Sequence, residues 1–287
     1  MVRYLLSIVL FLFFTSFGNA QYYDSVCVVN APWKVEKLGP KVKLYHYHFT
    51  NGKLFKANQH ISFIVAKNKR AWYEFAMAAE PRQLLTVSDF AGQYEAIGAI
   101  NGNFFDMKNG GAVDFTKVNG DVINTNKPGK NGKPEFHQKA AVVIDDKGSI
   151  GIKKWDGLVN WDEWLKEPHV MFTGPLLLLD RQIEKLDSNS FNVTRHPRTA
   201  VGIAKRGKVI MLVVDGRHTN SAGMSLFELT KVMRWLGCVS AINLDGGGSS
   251  TLWVKGKGVV NYPSDNKKWD HEGERKVANI LYLKKRK

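Results

Sequence analysis

Val201-Gly202-Ile203-Ala204-Lys205-Arg206-Gly207-Lys208-Val209-Ile210-Met211-Leu212-Val213-Val214 is the stretch that decides the fold class. Two apolar, β-branched runs enclose a basic turn that contains glycine, a pattern that reads as a β-hairpin. The same pattern recurs outward from it. Ala140–Ile144 and Ser149–Lys153 flank Asp145-Asp146-Lys147-Gly148, and Thr251–Val254 and Val259–Tyr262 flank Lys255-Gly256-Lys257-Gly258. Val42–Phe49 leads into an expected turn at Thr50-Asn51-Gly52-Lys53, and His60–Ala66 and Trp72–Ala78 flank Lys67–Arg70 as another expected hairpin. Val277–Leu283 reads as a closing strand.

Helices are fewer. Thr86–Tyr94 carries Val87, Phe90, Ala91 and Tyr94 at helical spacing, and Asp156–Lys166 carries Trp161, Trp164 and Leu165. Ser225–Leu236 presents Leu229, Val232, Met233 and Leu236 on one face. Ser225 and Glu228 there spell a capping box, with Gly237 at the stop position. The expected fold class is α+β: a mixed, largely antiparallel sheet with interspersed helices in a single domain. Asn124–Pro134 reads as a surface loop within it, not a domain boundary.

The 287 residues are 44% hydrophobic and 23% charged, enough to bury a core and to exclude global disorder. The net charge of +15 favours anionic partners: nucleic acid, an anionic membrane or wall, or a phosphorylated substrate. Two cysteines exclude a disulfide-rich scaffold; Cys27 and Cys238 are consistent with one disulfide or with two separate thiols. Arg3, the apolar run Leu5–Phe14 and Gly18-Asn19-Ala20 read as a signal peptide over residues 1–20, implying a secreted or periplasmic protein. No later segment is long and apolar enough to span a bilayer. Asn192-Val193-Thr194 matches a glycosylation sequon, relevant only in a eukaryotic secretory route.

Candidate chemistry gathers at strand ends. Ala241–Leu244 runs into Asp245-Gly246-Gly247-Gly248-Ser249-Ser250, an acid followed by three glycines and two hydroxyls. Consecutive glycines let backbone N–H groups crowd an anion or let a ligand approach closely. The alternative is a tight turn capped by Asp245. Val213-Val214-Asp215-Gly216-Arg217 repeats the theme, either as a surface ion pair or as a grip on a phosphate and a sugar hydroxyl. Asn101-Gly102-Asn103 reads as a plain turn or, beside Phe104 and Phe105, as sugar recognition. Glu228 is explained by the capping box alone. His46 and His48 share a strand face without an implied third ligand, so no metal site is assigned.

Six motifs in order carry a family resemblance: Ile100–Phe105, Thr173–Asp180, Arg195–Gly202, Val213–Arg217, Gly223–Leu229 and Asn243–Leu252. From Thr86 to Leu283 the chain resembles the phosphodiester glycosidase family, so residues 86–287 are expected to form a catalytic region and 21–85 an N-terminal strand-rich part of the same domain. The resemblance implies hydrolysis of the bond between sugar C1 and a phosphodiester oxygen. By motif it points to Asn101, Arg198, Asp215, Arg217, Glu228 and Asp245. Asp245, Glu228 and Asp215 are the catalytic candidates. Asn101, Asn103, Arg198, Arg217, Gly246, Gly247, Gly248 and Ser249 are the substrate-binding candidates. Asn103 stands where the family pattern has a second glycine. The expected partner is an anionic carbohydrate phosphodiester; no cofactor is assigned, and a divalent cation is left open. A nuclease or other P–O phosphodiesterase is the rival, although HKD, H-N-H and dense carboxylate metal motifs are lacking. A non-catalytic module for anionic glycans is the second rival.

Overall fold

The computed structural model describes residues 22–68, 72–127, 129 and 134–286. The expected signal peptide lies outside them. Three sheets make up the frame. The first has eight strands in the order β1 (Lys34–Gly39), β2 (Val42–Leu54), β3 (Ala57–Lys67), β14 (Lys208–Val214), β13 (Arg198–Ala204), β15 (Cys238–Asn243), β11 (Leu176–Leu179) and β12 (Gln182–Ile183). The second has five: β17 (Gly258–Val259), β16 (Leu252–Val254), β5 (Ala96–Asn101), β18 (Asn279–Lys285) and β4 (Tyr73–Ala79). The third also has five: β7 (Asp121–Asn124), β6 (Thr116–Val118), β10 (His169–Phe172), β8 (Ala140–Ile144) and β9 (Ile150–Lys154). All pairings between these strands are antiparallel. Among the described residues five α-helices punctuate them: α1 over 22–29, α2 (Val87–Gln93), α3 (Trp161–Trp164), α4 (Ser190–Val193) and α5 (Leu226–Trp235). Among the described residues no helix is long and apolar enough to cross a membrane.

Strand β14 shows how the sequence produces this architecture. Val209, Met211 and Val213 point into one apolar cluster with Met77, Ile100 and Leu281 of the second sheet. Ile210, Leu212 and Val214 point the other way, into a cluster with Val28 of α1 and Leu229, Val232 and Met233 of α5. A strand apolar at every position from Val209 onward needs cover on both faces, here a sheet on one side and helices on the other. Helix α2 covers the outer face of the second sheet, packing Val87, Phe90 and Ala91 on Ala76, Ala78 and Ile280. Residues 34–85 are not separate from this core: β3 pairs with β14, and β4 pairs with β18.

The hairpins at β8–β9, β13–β14 and β16–β17 and the helices at α2 and α5 stand where the sequence places them. Three expectations need correction. Strand β2 runs past Asn51-Gly52 to Leu54, and the turn falls at Phe55-Lys56, both with positive φ. Strands β3 and β4 lie in different sheets and do not form a hairpin. Only Trp161–Trp164 of the expected 156–166 helix is helical. The two cysteines are separate thiols, and burial pushes Cys238 up to about 12. Asn192 of the sequon is buried, with its Nδ2 donating to Asp187 O at 2.8 Å.

This topology places the starts of β3 and β13 beside the ends of β14 and β15, at one edge of the first sheet. The connection from β15 to β16 leaves that edge and crosses to the end of β5 in the second sheet. The acid-and-glycine segment is this crossing.

Candidate active site

Asp245 is clamped between the two sheets. Leu244 N–H donates to Thr199 O at 2.9 Å, Asp245 N–H donates to Gly102 O at 3.0 Å, and Asn101 Nδ2 donates to Asp245 O at 2.7 Å. A 3-10 turn over Gly247–Ser249 follows. Gly246 is required by its close approach to backbone, and Gly247 by its positive φ. A Cβ on Gly247, already at φ +63°, would stand 2.9 Å from an Arg217 guanidinium nitrogen. One on Gly246 would stand 2.7 Å from Pro197 O, and one on Gly248 2.5 Å from both Arg275 and Asp265. The turn thus packs against Arg217 at Gly247 and against Arg275 at Gly248.

The half-buried Asp245 carboxylate accepts only the Gly246 N–H, at 2.9 Å, among the hydrogen bonds of the described residues. Burial pushes its pKa up to about 6, against the opposing pull of Ser249, the Gly246 N–H, Arg275 and Arg217. Arg217 is exposed and has no carboxylate partner among the described residues. Burial, then the charges of Arg198 and Arg217, hold His196 below its ordinary value. Burial, then Arg217, draws Arg198 down to about 10. Burial around Asp245 therefore disfavours charge of either sign, and the nearby arginines offset that cost only for an anion.

Other residues singled out in the sequence are spent inside the protein. Arg198 is buried; its Nε donates to Met224 O at 2.8 Å and one terminal nitrogen to Phe191 O and Thr194 O at 2.7 and 2.9 Å. It anchors α4 and is not a free phosphate ligand. Asn101 Oδ1 accepts from Thr199 Oγ1 and Thr251 N–H, so that side chain ties the sheets together. Asn103, the departure from the family pattern, is also buried. It donates to Thr116 Oγ1 and Phe172 O and accepts from Asn279, which corrects the expectation that it faces a ligand. Asp215 is buried with Oδ2 2.7 Å from His60 Nδ1, while Oδ1 accepts from Asn261 Nδ2 and Tyr262 N–H. Glu228 closes the capping box, accepting Ser225 N–H at 2.9 Å, and receives a bidentate guanidinium from Arg195. Its geometry is that of a brace on α5. The expected cradle of three glycine amides is also smaller, because the Gly246 N–H goes to Asp245 and the Gly247 N–H to Pro197 O. Ser249 is fully buried, and its Oγ makes no hydrogen bond among the described residues. Among the described residues no three His, Cys, Asp or Glu side chains converge as metal ligands.

Sequence reasoning missed Arg275. Its guanidinium pairs with Asp265 and reaches Met107 Sδ at 3.7 Å. The run Glu272-Gly273-Glu274-Arg275-Lys276 looks like a solvated loop, and only the folding of residues 260–277 back onto the glycine turn gives it a site.

A family model described as phosphodiester glycosidase matches residues 94–284. The chain belongs to the phosphodiester glycosidase family. A mouse protein named N-acetylglucosamine-1-phosphodiester alpha-N-acetylglucosaminidase is 27% identical over 192 residues, covering 63% of this chain and 36% of the mouse protein. The chain thus spans about a third of that relative's length. The solved catalytic domain of the zebrafish protein of that name, described as auto-inhibited by its pro-peptide, superimposes with a TM-score of 0.65 at 22% identity, covering 88% of this chain and 86% of that one. A hypothetical protein from Synechocystis gives 0.66 at 13% identity, over 89% of this chain and 64% of that one. These two likenesses establish a shared fold. The family match also covers Asp245, its glycine turn, Arg217 and Arg275.

Proposed function

We propose that the chain hydrolyses the sugar C1–O bond of a glycosyl-1-phosphodiester to a free sugar and a phosphomonoester. The observation that carries this reading is one carboxylate, Asp245, followed by a glycine turn that packs against the guanidinium groups of Arg217 and Arg275. The leaving group is a phosphate monoester whose last proton has a pKa of about 6. It departs without the general acid that an alcohol leaving group normally needs. Arg217 and Arg275 hold its charge, Arg275 by sharing itself between Asp265 and the phosphate. With a pKa of about 6, Asp245 is mostly ionised at neutral pH. It faces the sugar, where it stabilises the cationic centre at C1 or takes the proton of the attacking water.

The names of the relatives make α-N-acetylglucosamine-1-phosphodiesters the first substrates to try. The signal-like pattern of residues 1–20 supports a reaction outside the cytoplasm. The test is sugar release from a panel of glycosyl-1-phosphodiesters by the wild type and Asp245→Asn. We expect release by the wild type and a loss of at least about a hundredfold in the variant. A folded Asp245→Asn protein that turns over normally would remove Asp245 from the reaction.

A further inference from the structure

Next to the glycine turn lies a partly open group of rings that the reaction above leaves unused. Phe104, Phe136 and Phe191 are each half-buried, unlike the core rings Phe90 and Phe172. Phe191 lies 5.9 Å from Phe104 and 5.2 Å from Phe136, centroid to centroid. Two ties join the group to the site. The Arg198 guanidinium sits 4.9 Å over the Phe191 ring, and the would-be Cβ of Gly246 lies 3.7 Å from Arg198 Cδ. Phe104 stands two residues after Gly102, whose carbonyl receives the Asp245 N–H.

His137 completes the group, with its ring 5.0 Å from Phe104 and 4.9 Å from Phe136. Its Nδ1 is 2.7 Å from Oδ2 of Asp114, a carboxylate with no solvent exposure. The other Asp114 oxygen accepts from Gln138 Nε2 at 3.0 Å. The neighbouring Val113 N–H donates to Phe104 O at 3.0 Å, so Asp114 and the Phe104 motif share one hairpin. A buried carboxylate that accepts a hydrogen bond from Nδ1–H fixes the tautomer of the neutral ring and leaves Nε2 as an acceptor. The side chain is 17% exposed, enough for a ligand to reach it.

Half-buried apolar rings edged by an oriented acceptor suit a pyranose. Its C–H face packs on the rings and a hydroxyl donates to the imidazole. We propose that Phe104, Phe136, Phe191 and His137 form the sugar subsite of the reaction proposed above, with Asp114 as the residue that positions His137. This inference rests on that reading, since it assigns the sugar to one side of Asp245 and the phosphate to the Arg217 side.

The test is binding, without turnover. Methyl α-N-acetylglucosaminide, methyl α-glucoside and inorganic phosphate are titrated separately into the full chain and followed by NMR or calorimetry. The variants are His137→Ala and Phe191→Leu, each checked for wild-type circular dichroism, with Phe104→Leu as a replacement if either fails to fold. We expect at least one glycoside to bind the wild type and to weaken about tenfold or more in the variants, with phosphate affinity unchanged. Glycoside affinity unchanged in folded variants, or lost together with phosphate affinity, would overturn the subsite, as would a wild type that binds neither glycoside. A protein that binds glycoside through these residues yet hydrolyses no phosphodiester would keep the subsite and sink the reaction. One that hydrolyses but ignores these substitutions would do the reverse.

Discussion

Asp245→Asn should make the protein more stable, and the gain should depend on pH. In the unfolded chain the carboxyl titrates at its ordinary value of 3.8; in the fold burial raises it to about 6. Between these values the folded protein keeps a proton that the unfolded chain releases. Stability therefore falls as pH rises through that window, and the full cost is present above it. Carrying a carboxyl from 3.8 to about 6 corresponds to about 3 kcal/mol, an upper figure for a half-buried group. Asparagine removes the charge yet keeps an oxygen to accept the Gly246 N–H. At neutral pH the variant should melt up to roughly 6–12 °C higher, at about 2–4 °C per kcal/mol for a chain of this size. The two melting curves should converge near the unfolded value of 3.8 and below it. The assay is thermal unfolding of both proteins across that range. A variant that is less stable at neutral pH, or one whose difference from wild type is independent of pH, would refute the reasoning.

Glu228→Gln should leave turnover within a few-fold of wild type, because glutamine still closes the capping box; weakening the Arg195 pair should cost about 1 kcal/mol, read from a denaturant midpoint. Arg217→Ala should raise KM for phosphodiesters about tenfold or more while changing stability by less than about 0.5 kcal/mol, since the side chain is exposed and unpaired. Asp215→Ala should destabilise the fold by about 3–5 kcal/mol, because it strands His60, Asn261 and the Tyr262 N–H without their buried acceptor; chemical denaturation measures this.

Local features were readable from sequence and non-local ones were not. The Val201–Val214 hairpin and the Ser225–Glu228 cap are each decided within a few residues, and both stand as read. Asn51-Gly52 carries a strong turn signal, yet the turn forms at Phe55-Lys56. There Asp24 accepts the Phe55 N–H, Arg195 donates to the Phe55 carbonyl, and Leu54 and Phe55 gain burial in the core. Strands β3 and β4 follow one another in sequence but pair with β14 and β18, far along the chain. The turn after Asp245 was legible because three consecutive glycines have no role inside a regular element. Arg198, Asp215 and Glu228 have the residue types of catalysis, and no sequence pattern says that backbone carbonyls, His60 and Arg195 occupy them. Arg275 and His137 owe their places to loops whose path the sequence does not encode locally.

Hydrolysis in H₂¹⁸O tests the central claim most directly, because it reports which bond breaks. The phosphomonoester is the product to analyse, since the C1 oxygen of a free sugar exchanges with water. With Asp245 acting at C1 and the arginines holding the departing phosphate, solvent oxygen enters the sugar, and the phosphomonoester carries no label. Label in the phosphomonoester would mean attack at phosphorus, and would contradict the placement of Asp245, Arg217 and Arg275 in the reaction.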